Sequence, residues 1–130
     1  MTTLLLDTHA YVWAVTAPHL LSDRAATAIA DPGNQLMVSA ASVWEMAIKH
    51  RAGKWPEAEV LLDQHDSVVE RLGARTQPIT AADAIRAGRL SWAHPDPFDR
   101  MLAAQALLHA STLVTRDRAF GRIIGIPLLW

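Results

Sequence analysis

The stretch Thr2–Trp13, TTLLLDTHAYVW, decides the fold. TLLL (3–6) reads as a short buried strand, of the kind found in parallel sheets that helices cover on both faces. Asp7 follows at once, and from Thr8 to Ala17 the chain reads as a helix that Pro18 closes. A carboxylate between an apolar strand and an apolar helix must be paired, solvated in a cleft or bound to a cation, because an isolated buried carboxylate is far too unfavourable.

The same alternation recurs downstream. LSDRAATAIAD (21–31) is predicted helical, with Ser22 as N-cap and Pro32-Gly33 as the stop. QLMVS (35–39) is a second buried strand, and AASVWEMAIKHRAG (40–53) a helix with Gly53 as its C-cap. PEAEVLLDQHDSVVERLG (56–73) reads as one helix ended by Gly73, followed by a strand at ARTQPI (74–79). TAADAIRAGRL (80–90), capped by Thr80, and DPFDRMLAAQALLHA (96–110) are helices. TLVT (112–115) is a strand, RDRAFGRI (116–123) a short helix and IPLLW (126–130) an edge strand. Strands alternating with helices place the chain in the α/β class, as a parallel sheet with helices on both faces. In such sheets ligands bind beyond the carboxyl ends of the strands, so acids at strand ends matter.

Of the 130 residues 51% are hydrophobic and 19% charged, which fits one compact domain over residues 1–130 and not a disordered chain. No apolar run is long enough to span a bilayer, and no basic region precedes the first leucines, so neither a membrane anchor nor a signal peptide is expected. The absence of cysteine excludes disulfides and thiolate metal sites and fits a reducing cytoplasm. A net charge of −1 does not mark a globally basic nucleic-acid binder; an anionic substrate needs a local patch.

Four acids carry the functional question, and each has an ordinary explanation. Asp7 suits a helix N-cap as well as a ligand. Glu45 pairs with Lys49 at i,i+4, yet Val43, Trp44, Met46, Ala47 and Ile48 around it predict a helix buried on most sides. Asp99 shares a helical face with Leu102, Ala103, Ala106 and Ala110 and heads the stripe toward the sheet, while Asp96 caps the helix and Pro97 opens it. Asp117, just past TLVT, is either the cap of the next short helix or a strand-end acid parallel to Asp7.

Together the four gather near one edge of a parallel sheet, where protonation or a cation must relieve their repulsion. Oxygen donors without Cys or a His pair suit Mg²⁺ or Mn²⁺ and not zinc. The six histidines (9, 19, 50, 65, 94 and 109) show no ligand spacing and are assigned mostly to surface or partner contacts. Carboxylate-held divalent ions serve phosphoryl chemistry, activating water and stabilising charge at the scissile phosphate. Lys49, His50, Arg51 and Lys54 after Glu45, Arg100 beside Asp99, and Arg116, Arg118 and Arg122 around Asp117 form a cationic fringe that fits RNA or DNA. Singly, most of these are better read as solvated helix surface or as partners of nearby acids; it is their clustering beside the four acids that favours a nucleic-acid substrate.

LLLDTHAYVW, SAASVWEMAIKHRAGK, HPDPFDRMLAAQA and LVTRDRAFGRI, in this order and with the closing PLLW, resemble the PIN-domain proteins over essentially the whole chain. The resemblance is closest to the VapC-type toxins of bacterial toxin–antitoxin pairs. It implies a three-layer α/β/α sandwich with a mostly parallel central sheet, and a Mg²⁺- or Mn²⁺-dependent endoribonuclease inhibited by a small cognate antitoxin. By motif, Asp7, Glu45, Asp99 and Asp117 take the places of the family's four acids as catalytic and metal-binding residues. Asp99 and not Asp96 is third because it stands just ahead of the LAAQA run. Thr8 and Thr115 match hydroxyl positions beside the first and fourth acids, and Lys49, Arg100 and Arg116 are the substrate-binding candidates.

Five tryptophans (13, 44, 55, 92 and 130) exceed what a small core readily hides. Those left outside would line a groove for an antitoxin segment or a homodimer face, giving a homodimer or a toxin–antitoxin hetero-oligomer. Two other readings stay open. A phosphatase or phospho-acceptor domain would use Asp7 as nucleophile, although His9 stands where a haloacid-dehalogenase-type enzyme has its second Asp, and QLMVS ends in Ser39. A non-catalytic binding module would use the same fold to grip a partner.

Overall fold

The structure, a computed structural model, describes residues 1–130. Its centre is a sheet of β1 (Thr3–Leu6), β2 (Gln35–Ser39), β3 (Ala74–Gln77), β4 (Thr112–Val114) and β5 (Leu128–Leu129). The strand order is β3-β2-β1-β4-β5 and every pairing is parallel. Parallel neighbours need crossovers, which are built from α1 (Thr8–Thr16), α2 (Asp23–Ala30), α3 (Ala40–Arg51), α4 (Glu59–Asp63), α5 (His65–Leu72), α6 (Ala81–Arg89) and α7 (Pro97–Leu108).

Alternation along β1 sorts the three layers of this α/β/α sandwich. Leu4 and Leu6 pack with Leu36, Val38 and Val114 against Tyr11 of α1, Ala25 of α2 and Val68 of α5. Leu5 points the other way and packs with Leu113 against Leu102, Ala103 and Ala106 of α7. Strand β1 is therefore central, and its carboxyl end is fixed from both faces.

Helix ends follow the expected chemistry with one exception. α3 closes on Gly53, whose φ is +75°, with Lys54 N–H donating to Lys49 O at 3.0 Å. α7 closes in the same way on Ala110, at φ +52°, with Ser111 N–H donating to Ala106 O at 3.0 Å. Ala110 is therefore exposed and past the helix, not on the inward stripe where the spacing placed it. Residues 56–73 are not one helix: a 3-10 turn at Pro56–Ala58 leads into α4, and Gln64, at φ −119° and ψ 38°, breaks the run before α5. The break lets Ala58 and Leu61 before it and Val68 and Val69 after it join one core. Arg118–Arg122 is a 3-10 turn instead of an α-helix, and Pro18–Leu20 forms another after α1. No helix is long and apolar enough to cross a membrane.

The chain runs from β1 outward to β2 and β3 on one side, then returns to β4 on the other. The crevice beyond the carboxyl ends of β1 and β4 is thus the topological switch point, and Asp7 and Asp117 follow those two strands.

Candidate active site

Asp7 extends the sheet by one rung, donating its N–H to Val114 O at 3.0 Å. Its Oδ1 accepts from Ala10 N–H at 2.7 Å and so caps α1. Cap and strand-end acid are one and the same group. Burial pushes its carboxyl up; the Thr115 hydroxyl, the Ala10 N–H and His9 pull it down, and the charge of Glu45 raises it, with a net upward shift. Thr115 also accepts the Asp117 N–H at 3.0 Å, so the residue that helps to lower the Asp7 carboxyl also ties down the turn after β4. Thr8 donates instead to Ser42 Oγ at 3.0 Å, joining α1 to α3 one turn before Glu45.

Glu45 is buried on α3, and its Oε2 accepts from Lys49 Nζ at 2.8 Å. The i,i+4 pair therefore exists without bringing the acid to the surface. Lys49 Nζ lies 5.2 Å from the centroid of Trp55. On α7 the two acids divide the work: Asp96 Oδ1 accepts from the N–H groups of Phe98 and Asp99 at 2.8 and 3.2 Å, leaving the Asp99 side chain to point inward. Asp99 Oδ2 meets His94 Nε2 at 2.7 Å. Burial raises its carboxyl, the His94 contact opposes this, Asp96 and Glu45 raise it further, and it settles at about 6.

His94 was not visible as a site residue in the sequence. Arg100 places it, donating from Nε to Ala87 O at 3.0 Å and from its terminal nitrogens to Leu90 O, Trp92 O and His94 O at 2.9, 2.6 and 3.1 Å. This clasp gathers the loop before α7, and Trp92 stacks on His94 at 4.6 Å and 25°. Arg100, expected at the substrate, has its guanidinium committed to main-chain carbonyls. The available signal was HPDPFD, where two prolines restrict the backbone between His94 and Asp99.

Asp117 is exposed, and its Oδ1 accepts from Ala119 N–H at 2.9 Å. Beside it the Arg116 guanidinium lies 5.1 Å from the Trp13 ring centroid. Asp7, His9, Trp13, Arg116 and Asp117 line an open cleft of about 290 Å³.

The donor set suits a hard divalent ion in kind: it is all oxygen, and the charge of Glu45 presses on both Asp7 and Asp99. It is not a closed coordination shell. Each of the four acids has one oxygen engaged by an internal partner, and no three His, Asp or Glu side chains stand together as a metal cluster.

Residues 4–125 match the PIN domain family. The chain is 36% identical over 119 residues to Ribonuclease VapC22 of Mycobacterium tuberculosis, covering 91% of this chain and 89% of that protein. Among solved structures, the fold is shared with VapBC2 from Rickettsia felis bound to a DNA fragment from their promoter (TM-score 0.67, 19% identity, 98% and 97% of the two chains). It is shared as well with DNA-bound VapBC from Salmonella typhimurium (TM-score 0.69, 20% identity, 98% and 97%). A third match is FitAcB from Neisseria gonorrhoeae (TM-score 0.62, 21% identity, 96% and 95%).

Proposed function

Because the chain belongs to the PIN-domain family, in its VapC-type toxin branch with nuclease-type activity, we propose that it is a Mg²⁺- or Mn²⁺-dependent endoribonuclease. It acts as the toxin of a toxin–antitoxin pair in the cytoplasm. The observation that carries this reading is that Asp7 and Asp117 line one cleft at the switch point, with burial foremost, and the charge of Glu45 least, pushing the Asp7 and Asp99 carboxyls up. A cation relieves that pressure without protonating the acids.

Asp7, Glu45 and Asp99 would hold the ion, with Asp117 at the open side of the cleft; when bound, it supplies charge stabilisation at the scissile phosphate and an activated water. The chain's own residues hold the rest in place. The sheet ladder and the Ala10 N–H fix Asp7, and Thr115 keeps the Asp117 turn in step with it. His94 holds one oxygen of Asp99, so the carboxylate has one orientation. Arg116 and Lys49 offer positive charge to the flanking phosphates, which an overall neutral protein must supply locally.

The VapBC complexes of known structure support pairing with a small cognate antitoxin. An apolar segment of such a partner has a place to dock. Trp44, 59% exposed, packs edge-on against Phe98 at 5.1 Å beside an open groove lined also by Ala41, Ile79, Ala84 and Met101. The test of the catalytic reading is RNA cleavage by Asp7→Asn and Asp99→Asn. Each is expected to lose at least about a hundredfold in rate, the several kcal/mol an ion contributes at the transition state, with an unchanged circular dichroism spectrum. Cleavage at the wild-type rate by both variants refutes it.

A further inference from the structure

We infer that the rim of the cleft is a stacking site for an unpaired nucleobase of the bound strand, an inference that rests on the nuclease reading above. Trp130, Trp13, His9 and Trp55 form a continuous chain of rings, of which His9 and Trp13 reach the rim. Their centroid separations are 5.9, 5.4 and 5.1 Å in that order. Two cations lie against the rings: Arg116 is 5.1 Å from Trp13, and Lys49 is 5.2 Å from Trp55 at one end of the chain.

Core packing does not account for the outer part of this chain. Trp55 is buried and Trp13 and Trp130 are half-buried, but His9 and Arg116 are exposed. His9, Trp13 and Arg116 line the same cleft as Asp7 and Asp117. The placement follows from α1. His9 and Trp13 are four residues apart and share a helical face, and Asp7 caps that helix. One helix start therefore sets the rings beside the acid.

Every base offers a π-face, and aromatic platforms flanked by cations bind single strands with little sequence preference, whereas a duplex keeps its bases stacked on one another. Arg116 can meet a phosphate while the rings take the neighbouring base. An apolar protein segment laid in the cleft would instead desolvate Asp7, Asp117 and Arg116 without pairing them.

The test is equilibrium binding, in EDTA and at low salt, of two single-stranded RNA oligonucleotides with the same phosphates, one intact and one carrying abasic sites. The intact strand is expected to bind roughly 5- to 150-fold more tightly, the worth of one stacked base at about 1–3 kcal/mol, and to quench tryptophan fluorescence. His9→Ala, at an exposed position, and Trp13→Leu each remove most of that ratio. Arg116→Gln weakens both strands alike and flattens the salt dependence. Equal affinity of the wild type for the two strands, or no binding of either, overturns the proposal. So does a ratio kept by both ring variants, which would leave the rim as packing or as a protein-docking face. A strand that binds in the expected way but is not cut when Mg²⁺ is restored refutes the nuclease reading and leaves the stacking site standing.

Discussion

At the scale of the residue, the ordinary and the functional explanations of the acids turn out to be compatible. Asp7 caps a helix and faces the cleft; Glu45 pairs with Lys49 and stays buried; Asp96 takes the cap so that Asp99 can turn inward. These assignments were legible because capping and i,i+4 pairing are local. His94 was not, because its place beside Asp99 is set by the bonds Arg100 makes to the end of α6 and the loop after it, up to thirteen residues away in sequence. The upward shift of Asp99 has a consequence for stability. Its folded value of about 6 exceeds the ordinary 3.8, so the folded state binds this proton more tightly than the unfolded chain. Stability therefore falls as pH rises through that window. Asp99→Asn is expected to be more stable than the wild type in urea at pH 7.5, with the advantage gone by about pH 4; a variant no more stable at the higher pH contradicts the placement of a strained charge there.

At the scale of the element, boundaries set by caps were readable and those set by tertiary packing were not. Ser22, Thr80 and Asp96 cap their helices as expected, whereas the break at Gln64 carries no proline or glycine signal. Asp83 went unnoticed for a similar reason. Its capping box with Thr80 is local, but its bonds to Gln105 and His109, at 3.1 and 3.0 Å, join α6 to α7 across more than twenty residues. Burial alone would raise its carboxyl; the Gln105, Thr80 and His109 bonds outweigh that and hold it below the usual range. The C-terminus of α7 uses an alanine at +52° where α3 uses a glycine. Ala110→Gly should add about 1 kcal/mol to the unfolding free energy by relieving the left-handed Cβ clash, and a loss of stability would show that Ala110 makes packing contacts that matter more. Arg100→Ala frees the carbonyls of the loop it gathers and should lose roughly 2 kcal/mol or more. Hydrogen exchange should show loop 90–94 opened in this variant; unchanged protection there contradicts the clasp.

At the scale of the whole molecule, the apolar runs were enough to specify the α/β/α architecture, because strands buried on both faces fit only a covered parallel sheet. The strand order was not readable, since nothing local says that β4 returns beside β1. It is that return which brings Asp117 to the side of Asp7. Tryptophan count pointed to a docking surface, but only the structure separates exposed Trp44 from Trp13, Trp55, Trp92 and Trp130, which are buried or half-buried. On the proposed function, Asp7, Glu45 and Asp99 bind a divalent ion for RNA cleavage. Calorimetric titration of Mn²⁺ into the metal-free protein, alone and with an RNA strand, tests it most directly. Saturable binding by the wild type is expected, weakened at least about tenfold, or about 1.4 kcal/mol, in Glu45→Gln. No binding by the wild type under either condition, or equal binding by the variant, contradicts it.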